Sequence, residues 1–342
     1  MRPRTKLVLL TGLVALATSA CGSSTKASSQ SAASTAAPTT SATTTGAPAP
    51  TTAGTTAPAA AVKVAFITKF PVAFFTAMDD AAKAYAAENP GVDISYFSCK
   101  SPSDTACQIA QIEDAVTKGF QGIVITPMGV EVIPAMEAAA DKGVKIVLVD
   151  NNLTAFTKKT AVAATDNVKG GQAAGAYLKS ILKSGDSIGL MEGVRGVPAL
   201  DARIQGVQDA LKDTGVKIVI GGAETKCDAA QGATVAEDLL TREPNLTAIY
   251  SACDDPAIAA AKVVKDKGKK TFVMGYDGLP DAAKAILAGD MKATIAQFPG
   301  KMAALGVEAV VNAVQGKAVD AFIDTGTELV TSDNASKFLK FQ

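Results

Sequence analysis

Residues 122–150 read GIVITPMGVEVIPAMEAAADKGVKIVLVD and contain the pattern on which the fold class depends. The segment begins and ends with short apolar runs, Gly122–Ile125 and Lys145–Val149, and each run predicts a buried strand. Between them, the apolar residues of Val130–Lys142 have helical spacing. Two buried strands joined by one helix predict a parallel βαβ unit with a right-handed crossover.

The same alternation continues on both sides of this segment. Toward the N-terminus, the pattern predicts strands at Val62–Ile67 and Ile94–Phe97 and helices at Phe75–Asn89 and Asp104–Lys118. The alternation restarts after Thr165, with helices at Val168–Leu182, Pro198–Asp213, Gln231–Arg242, Pro256–Lys267 and Pro280–Ala288 and strands at Ser187–Met191, Lys217–Ile220, Ala248–Ser251 and Thr271–Met274. The sequence therefore predicts an α/β protein with two doubly wound, Rossmann-like domains in tandem, each built on a parallel sheet.

The first 21 residues are typical of a bacterial export signal. Three basic residues lie among the first six, an apolar run follows at Leu7–Ala17, and small residues at 18–20 precede Cys21. Small residues directly before a cysteine resemble a lipobox, although Thr18 stands where Leu is usual. We expect Cys21 to be lipidated and to hold the protein at the outer face of the cell membrane. The alternative is an ordinary cleaved signal followed by a chance cysteine.

Residues 22–61 consist mainly of Ser, Thr, Ala, Pro and Gly. Such a segment has too little apolar surface to offset the entropy cost of ordering, so it predicts a disordered tether. Whether the tether is O-glycosylated stays open.

The composition argues against several classes of function. The 342-residue chain has 33 basic and 33 acidic residues, so its balanced charge does not indicate nucleic-acid binding. It has no His, which removes the commonest general base and metal ligand. No glycine-rich dinucleotide or phosphate loop follows a predicted strand, and we expect no cofactor and no metal.

The adjacent carboxylates Asp254 and Asp255 leave an enzyme as an alternative, because paired carboxylates can act in acid–base catalysis. Neighbouring side chains at a strand end point apart, however, and we interpret Asp254 as the cap of the helix that begins at Pro256. Lys69, Lys226 and Arg195 lie near the predicted cleft without a recognisable catalytic arrangement. We therefore expect a binding protein rather than an enzyme.

In parallel α/β sheets, ligands bind at the carboxyl ends of the strands. With two tandem domains, the cleft between the sheets is the expected site. The informative residues are those that directly follow each predicted strand.

These residues carry a family resemblance. The motifs are residues 71–75 after the first strand, Val149-Asp150, Asp166-Asn167 with Gly170-Gly171, residues 275–278 (GYDG) and residues 293–297 (ATIAQ). With them, the chain from Val62 to Thr331 resembles type I periplasmic solute-binding proteins of the ribose-binding kind. The resemblance implies capture of a small polar solute, a sugar or polyol, for the membrane permease of an ABC importer, by a protein that acts as a monomer.

The resemblance also implies three chain crossings, near Ala164-Thr165, Gln297-Phe298 and Ile323-Asp324. One domain would then comprise residues 62–164 with 298–323, and the other 165–297 with 324–342. Ligand would close the two domains around this three-strand hinge.

The same resemblance assigns binding residues. Phe74 and Phe75 match two aromatic residues of which at least one stacks on a sugar; the alternative is that both only cover the core. Asp150 and Asp277 match carboxylates that accept hydrogen bonds from hydroxyl groups, with helix capping as their alternative role. Gln297 matches an amide at the hinge.

Other positions depart from the ribose-type pattern. Asn151 and Asp201 stand where arginines are expected, and Cys253 stands where a ligand Asn is expected, while Arg203 remains. We therefore do not predict ribose. This more acidic lining suits a neutral polyol, another sugar, or an amine or amino acid.

Four cysteines besides Cys21 fit an exported, oxidising setting. Cys99 and Cys107 flank one βα loop, and Cys227 and Cys253 follow strands of the second domain. The hypothesis is that they pair in this way. A metal site is the rival interpretation, which would need four thiolates from both domains.

Two other kinds of protein with this fold have to be distinguished from a transport protein. An extracellular sensor uses the same closing clamp, and the sequence does not distinguish it from a transport protein. A repressor would need an N-terminal helix-turn-helix, where this chain has an export signal.

Overall fold

The structure is a computed structural model that describes residues 60–101 and 104–341. The predicted export signal, Cys21 and the tether up to residue 59 lie outside the described residues. Within them, the chain forms two α/β domains, each with one six-stranded sheet. No helix of this part of the chain is both long and apolar enough to cross a membrane.

The first sheet has the strand order β11-β5-β4-β3-β1-β2, and all its neighbouring strands are parallel. Its strands are β1 (Val62–Ile67), β2 (Val92–Phe97), β3 (Gly122–Ile125), β4 (Lys145–Val149), β5 (Ala161–Ala164) and β11 (Phe322–Asp324). Its helices are α1 (Ala73–Glu88), α2 (Thr105–Thr117), α3 (Ile133–Asp141) and α9 (Pro299–Val314), with a 3₁₀ turn at Val130–Val132.

The second sheet has the order β12-β10-β9-β8-β6-β7 and is parallel except for the pair β10–β12. Its strands are β6 (Ser187–Met191), β7 (Lys217–Ile220), β8 (Ala248–Ser251), β9 (Phe272–Asp277), β10 (Ala293–Ala296) and β12 (Glu328–Val330). Its helices are α4 (Asn167–Ile181), α5 (Pro198–Leu211), α6 (Ala229–Arg242), α7 (Asp254–Asp266) and α8 (Pro280–Leu287), and a 3₁₀ turn covers Ala335–Phe338.

Both sheets are covered on two faces because side chains alternate along each strand. In β1, Val64 and Phe66 pack with α1 and α9, whereas Ala65 and Ile67 pack with α2 and α3. The second sheet packs against α4 and α5 on one face and against α6, α7 and α8 on the other. The predicted α/β class with two doubly wound domains is confirmed.

Strands β5, β10, β11 and β12 and helix α9 were not among the elements that the periodicity predicts. Strands β5 (AVAA) and β10 (ATIA) are short and built mainly from Ala, and β11 and β12 have three residues each. Such strands show little periodicity, and they form because neighbouring strands and helices bury them.

These short strands carry the chain between the sheets. Strand β5 belongs to the first sheet and α4 to the second domain, β10 precedes the return through α9, and β11 and β12 lie in different sheets. The chain therefore passes between the domains three times, at residues 165–166, 297–298 and 325–327.

Candidate functional site

The site begins at the carboxyl end of β4. Asp150 follows this strand with a φ of 65°, a left-handed conformation that is uncommon for residues other than Gly. Its carboxylate lies 3.8 Å from the ammonium group of Lys69, which follows β1. Backbone strain of this kind is concentrated at functional sites.

Lys69 is largely buried, since its side chain is 16% exposed. Its Nζ lies 5.6 Å from the centre of the Phe75 ring. Burial lowers the pKa of Lys69, and the neighbouring Asp150 carboxylate opposes that shift. The first domain thus presents a carboxylate, an ammonium group and an aromatic ring within one small region.

The two predicted aromatic residues have different surroundings. Phe75 is buried and contacts Phe70 edge-on at 5.4 Å, on the side of the helix that reaches Lys69. Phe74 contacts Phe75 at 5.6 Å and Phe341 at 6.0 Å, near the C-terminus. The structure therefore brings Phe75 to the Lys69–Asp150 pair and holds Phe74 against Phe341.

The second domain contributes Asp277, the last residue of β9, with a φ of 124°. Its Oδ1 accepts hydrogen bonds from Arg203 at 2.9 Å and from the Nε2 of Gln297 at 2.7 Å. Asp277 is 19% exposed at its side chain, whereas Gln297 and Arg203 are buried. The predicted hinge amide and the predicted carboxylate are thus directly connected.

Arg203 is the centre of this network. Its Nε donates to Asn167 at 2.8 Å and its Nη1 donates to the Ala252 carbonyl oxygen at 2.9 Å. Its guanidinium carbon lies 3.9 Å from the centre of the Tyr276 ring, a cation–π contact. Arg203 therefore holds the Asp277 carboxylate in position, while its own side chain is buried from solvent.

Close helix packing puts Arg203 in this place. A Cβ on Gly171 of α4 would come within 2.5 Å of the Ala202 carbonyl oxygen of α5. A Cβ on Gly206 would come within 2.3 Å of the Gly171 backbone. Any larger side chain at either position would separate α4 from α5 and move Asn167 away from Arg203.

A second buried carboxyl group, that of Asp254, lies near Asp277. Asp254 accepts hydrogen bonds from Thr294 Oγ1 at 2.7 Å and from the Leu279 amide at 2.8 Å. Burial raises the pKa of Asp254 well above its usual range, and the charge of Asp277 adds to the shift. Our interpretation of Asp254 as a helix cap is wrong, because it is the first residue of α7 and joins β10 to the loop after β9.

Burial also raises the pKa of Asp277, while Arg203 and Gln297 oppose the shift. The Asp150 carboxylate, across the cleft, contributes to the same rise. The charge of Asp150 in the first domain therefore acts on Asp277 in the second.

The charges at the site are paired within each domain. Lys69 accompanies Asp150, and Arg203 accompanies Asp277. Each of these two carboxylates therefore has a positive partner, although the sequence suggested an acidic lining. The pairs offer both donors and acceptors, which suits a ligand whose hydroxyl groups do both.

The remaining predicted residues lie around this centre. Asn151 donates from Nδ2 to the Pro127 carbonyl oxygen at 3.4 Å and borders the cleft. Asp201 is exposed on α5 and accepts a hydrogen bond from the Gly196 amide at 3.0 Å. The structure does not bring Asp201 to the Asp277 network.

The cysteines pair as the sequence hypothesis has them. Cys99 is bonded to Cys107 across the β2–α2 loop, and Cys227 is bonded to Cys253. Cys253 is buried, and its sulfur is occupied by the bond rather than free to contact a ligand. This arrangement leaves none of the four thiols for a metal, in contrast to the rival interpretation.

A cavity of about 450 Å³ lies between the domains beside these residues. Its wall contains Asp150 and Asn151 from the first domain and Asn167 from the second. Its volume is within the range of small-molecule sites.

Sequence reasoning did not assign roles to Lys69 and Arg203. Arg203 had a detectable signal, because it lies among the buried residues Ile204, Val207 and Leu211 on one stripe of α5. A charge on an apolar stripe requires a buried partner. For Lys69, only the fold brings β1 beside the residues that follow β4.

Comparisons with known proteins agree with this fold. A family model described as a periplasmic binding protein domain matches residues 64–318. The D-ribose/D-allose-binding protein of Pseudomonas aeruginosa is 30% identical over 272 residues, which cover 76% of this chain and 85% of that protein. The D-allose-binding periplasmic protein of Escherichia coli is 31% identical over 244 residues, covering 68% and 78% of the two chains.

A solved structure adds a further likeness. An ABC transporter solute-binding protein from Burkholderia graminis, in complex with D-arabinose, has a TM-score of 0.74 and 27% identity. The match covers 83% of this chain and 100% of the Burkholderia graminis protein.

Proposed function

The chain belongs to the periplasmic binding protein family, and from that premise we propose that it captures a sugar or polyol and delivers it to an ABC importer. The ligand binds in the cleft between the two domains. The observation that carries the proposal is the pairing of each cleft carboxylate with its own cation, Asp150 with Lys69 and Asp277 with Arg203.

This pairing favours a neutral ligand over an amine. A cationic solute gains most from unpaired carboxylates, and here both carboxylates already have a positive partner. A hydroxyl group can donate to the carboxylate of each pair and accept from Lys69 or Gln297. Neutral polyhydroxy compounds therefore use the whole set of donors and acceptors without adding charge to the cleft.

The residues have distinct roles in this proposal. Asp150, Asp277 and Gln297 bind hydroxyl groups, and the Phe75 ring contacts the C–H face of the ligand. Phe74 packs edge-on against the Phe75 ring and helps to hold it in place. Asn151 lies at the edge of the site, and Arg203 fixes Asp277 in position.

Ligand capture is coupled to domain closure. The first domain comprises residues 62–164 with 298–324, so that all of β11 stays with the first sheet, and the second comprises 165–297 with 325–342. The three connections bend as the cleft closes, so that Asp150 and Asp277 contact opposite sides of one ligand.

The protein is exported, and a lipid on Cys21 with the tether of residues 22–61 keeps it at the outer face of the cell membrane. It acts as a monomer that docks on the importer's membrane permease and has no catalytic activity of its own.

The test is thermal unfolding of residues 22–342, freed of carried-over ligand by unfolding in guanidinium and refolding under oxidising conditions. The panel contains pentoses, hexoses, inositols, amino acids and polyamines at millimolar concentration. A ligand at a hundred times its dissociation constant stabilises the native state by about 2.7 kcal/mol, which shifts the transition by several degrees.

A shift with sugars or polyols alone supports the proposal. A shift with amines or amino acids alone would refute the sugar assignment. An extracellular sensor would bind the same ligand, and it is distinguished by measuring uptake: the transport function requires ATP-dependent accumulation by the cognate permease.

A further inference from the structure

The cavity beside the proposed sugar site has a wall of two kinds. Its polar lining includes Asp150, Asn151, Asp166 and Asn167. The rest of the wall is mainly apolar and includes Val130, Val168 and Phe322. Asp150 lines this cavity and also belongs to the Lys69–Asp150 pair, so the pair lies at the border of the cavity.

The apolar part of the wall is unusually exposed. Val130 is 59% exposed, Val168 is 55% exposed and Phe322 is 43% exposed. They come from three separate segments: the loop after β3, the first turn of α4, and β11. Scattered apolar residues need no explanation, but three that converge on one cavity indicate a surface that a ligand covers.

We propose that this cavity binds an apolar substituent carried by the sugar, so that the natural ligand is a glycoside or another alkyl- or aryl-substituted sugar rather than a free monosaccharide. This inference rests on the proposed function of the cleft. The hydroxylated ring binds Asp150, Asp277 and Gln297, and the substituent extends past Asn151 to contact Val130, Val168 and Phe322.

The size and chemistry of the cavity support this assignment. Its volume of about 450 Å³ lies to one side of the Arg203–Asp277–Gln297 network, which forms no part of its wall. A bare sugar held by that network makes no contact with the apolar wall. A phenyl or short alkyl group would remove this wall from water, which is favourable in proportion to the apolar area covered.

The test compares matched ligands on the oxidised chain of residues 22–342. The probes are D-ribose, D-allose, D-glucose and D-galactose, each with its methyl and phenyl glycosides in both anomers, titrated by isothermal calorimetry. We expect one phenyl glycoside to bind roughly ten- to hundredfold more tightly than the methyl glycoside of the same sugar and anomer, because the ring covers the apolar wall.

A variant locates the effect. In V130N/V168N, two exposed apolar side chains of the wall become polar at little cost to folding. We expect this variant to lose the preference for the phenyl glycoside and to keep its affinity for the free sugar. The matched control is L287N, because Leu287 is 47% exposed on α8 and outside the cavity; it should behave like the unmodified protein.

The outcomes separate the two proposals. If no sugar binds in any form, the proposed function fails, and the inference fails with it. If free sugars bind but phenyl glycosides bind no better than methyl glycosides, only the inference is overturned. The same holds if V130N/V168N keeps the phenyl preference or if L287N loses it.

Discussion

Replacing Asp277 by Asn should destabilise the ligand-free protein, contrary to what its position at a binding site alone suggests. Its Oδ1 lies 2.9 Å from the Arg203 guanidinium, which is only 6% exposed at its side chain. At that distance and an effective dielectric constant of about 20, the attraction between the two charges is about 6 kcal/mol. Removal of one charge leaves the other buried without its counter-charge.

The net loss should be about 3 kcal/mol. Asp277 is 19% exposed, so water screens part of the attraction. Arg203 also keeps its bonds to Asn167 and Ala252 and its contact with Tyr276. Half of the attraction is therefore a reasonable expectation, at the lower end of the losses measured when one member of a buried pair is removed.

The assay is urea unfolding at pH 7.5, monitored by far-UV circular dichroism. If the two domains unfold separately, the loss is read from the transition of the second domain. The control is Asp114→Asn, which breaks an exposed pair with Lys118 on α2 and should change the free energy of unfolding by less than about 0.5 kcal/mol. A double-mutant cycle with Arg203→Met should show about 2–3 kcal/mol of coupling. A loss for Asp277→Asn no larger than for Asp114→Asn, or an additive cycle, would refute the reasoning.

Three further predictions concern other parts of the molecule. Burial raises the pKa of Asp79 from 3.8 to about 6, so the fold favours the protonated carboxyl and the stability of the protein falls as the pH rises from about 4 to 6. Asp79→Asn should remove that fall in a series of urea unfolding experiments at different pH. Allowing for the partial exposure of Asp79, the variant should be more stable than the unmodified protein by about 1–2 kcal/mol at pH 7.5 and no more stable at pH 3.5. The Cys227–Cys253 bond spans 26 residues, so replacing both cysteines by Ala should cost about 3.5 kcal/mol in urea unfolding. An unmodified protein whose stability does not change on reduction would contradict this role of the bond. Phe75→Leu should weaken sugar binding at least about tenfold by calorimetry through loss of the ring face, whereas Phe74→Leu should lower only stability; equal effects on affinity would exclude the distinction.

Much of the fold is contained in short-range patterns. Strands such as Lys145–Val149 and Ser187–Met191 have the predicted bounds, because buried parallel strands are nearly continuous apolar runs. Strands β5 and β11 are the opposite case. Each becomes a strand because it pairs with its neighbour, Val162 with Phe322 and Ala164 with Asp324, and neither residue run shows this alone.

The site divides in a similar way. The positions of Asp150, Asp277 and Gln297 follow from the rule that binding residues succeed the strands, together with the family motifs. Their partners do not follow from it. Gln297 and Asp277 are 20 residues apart, and Arg203 and Asp277 are 74 apart, so only the packed domain brings these side chains to one carboxylate.

By itself, the sequence determined the α/β class, the two-domain arrangement and the edge of each sheet at which a ligand is expected, because periodicity and strand ends are local properties of the chain. Only the tertiary structure decided the charge state of the cleft and the cavity beside it. Charge depends on which groups lie within a few ångströms of each other. Lys69 and Arg203 reach their carboxylates because β3 pairs with both β1 and β4 and because α4 packs against α5. Asp150 and Asp277 looked unopposed as a list of residues, and each has a positive partner once the chain is folded.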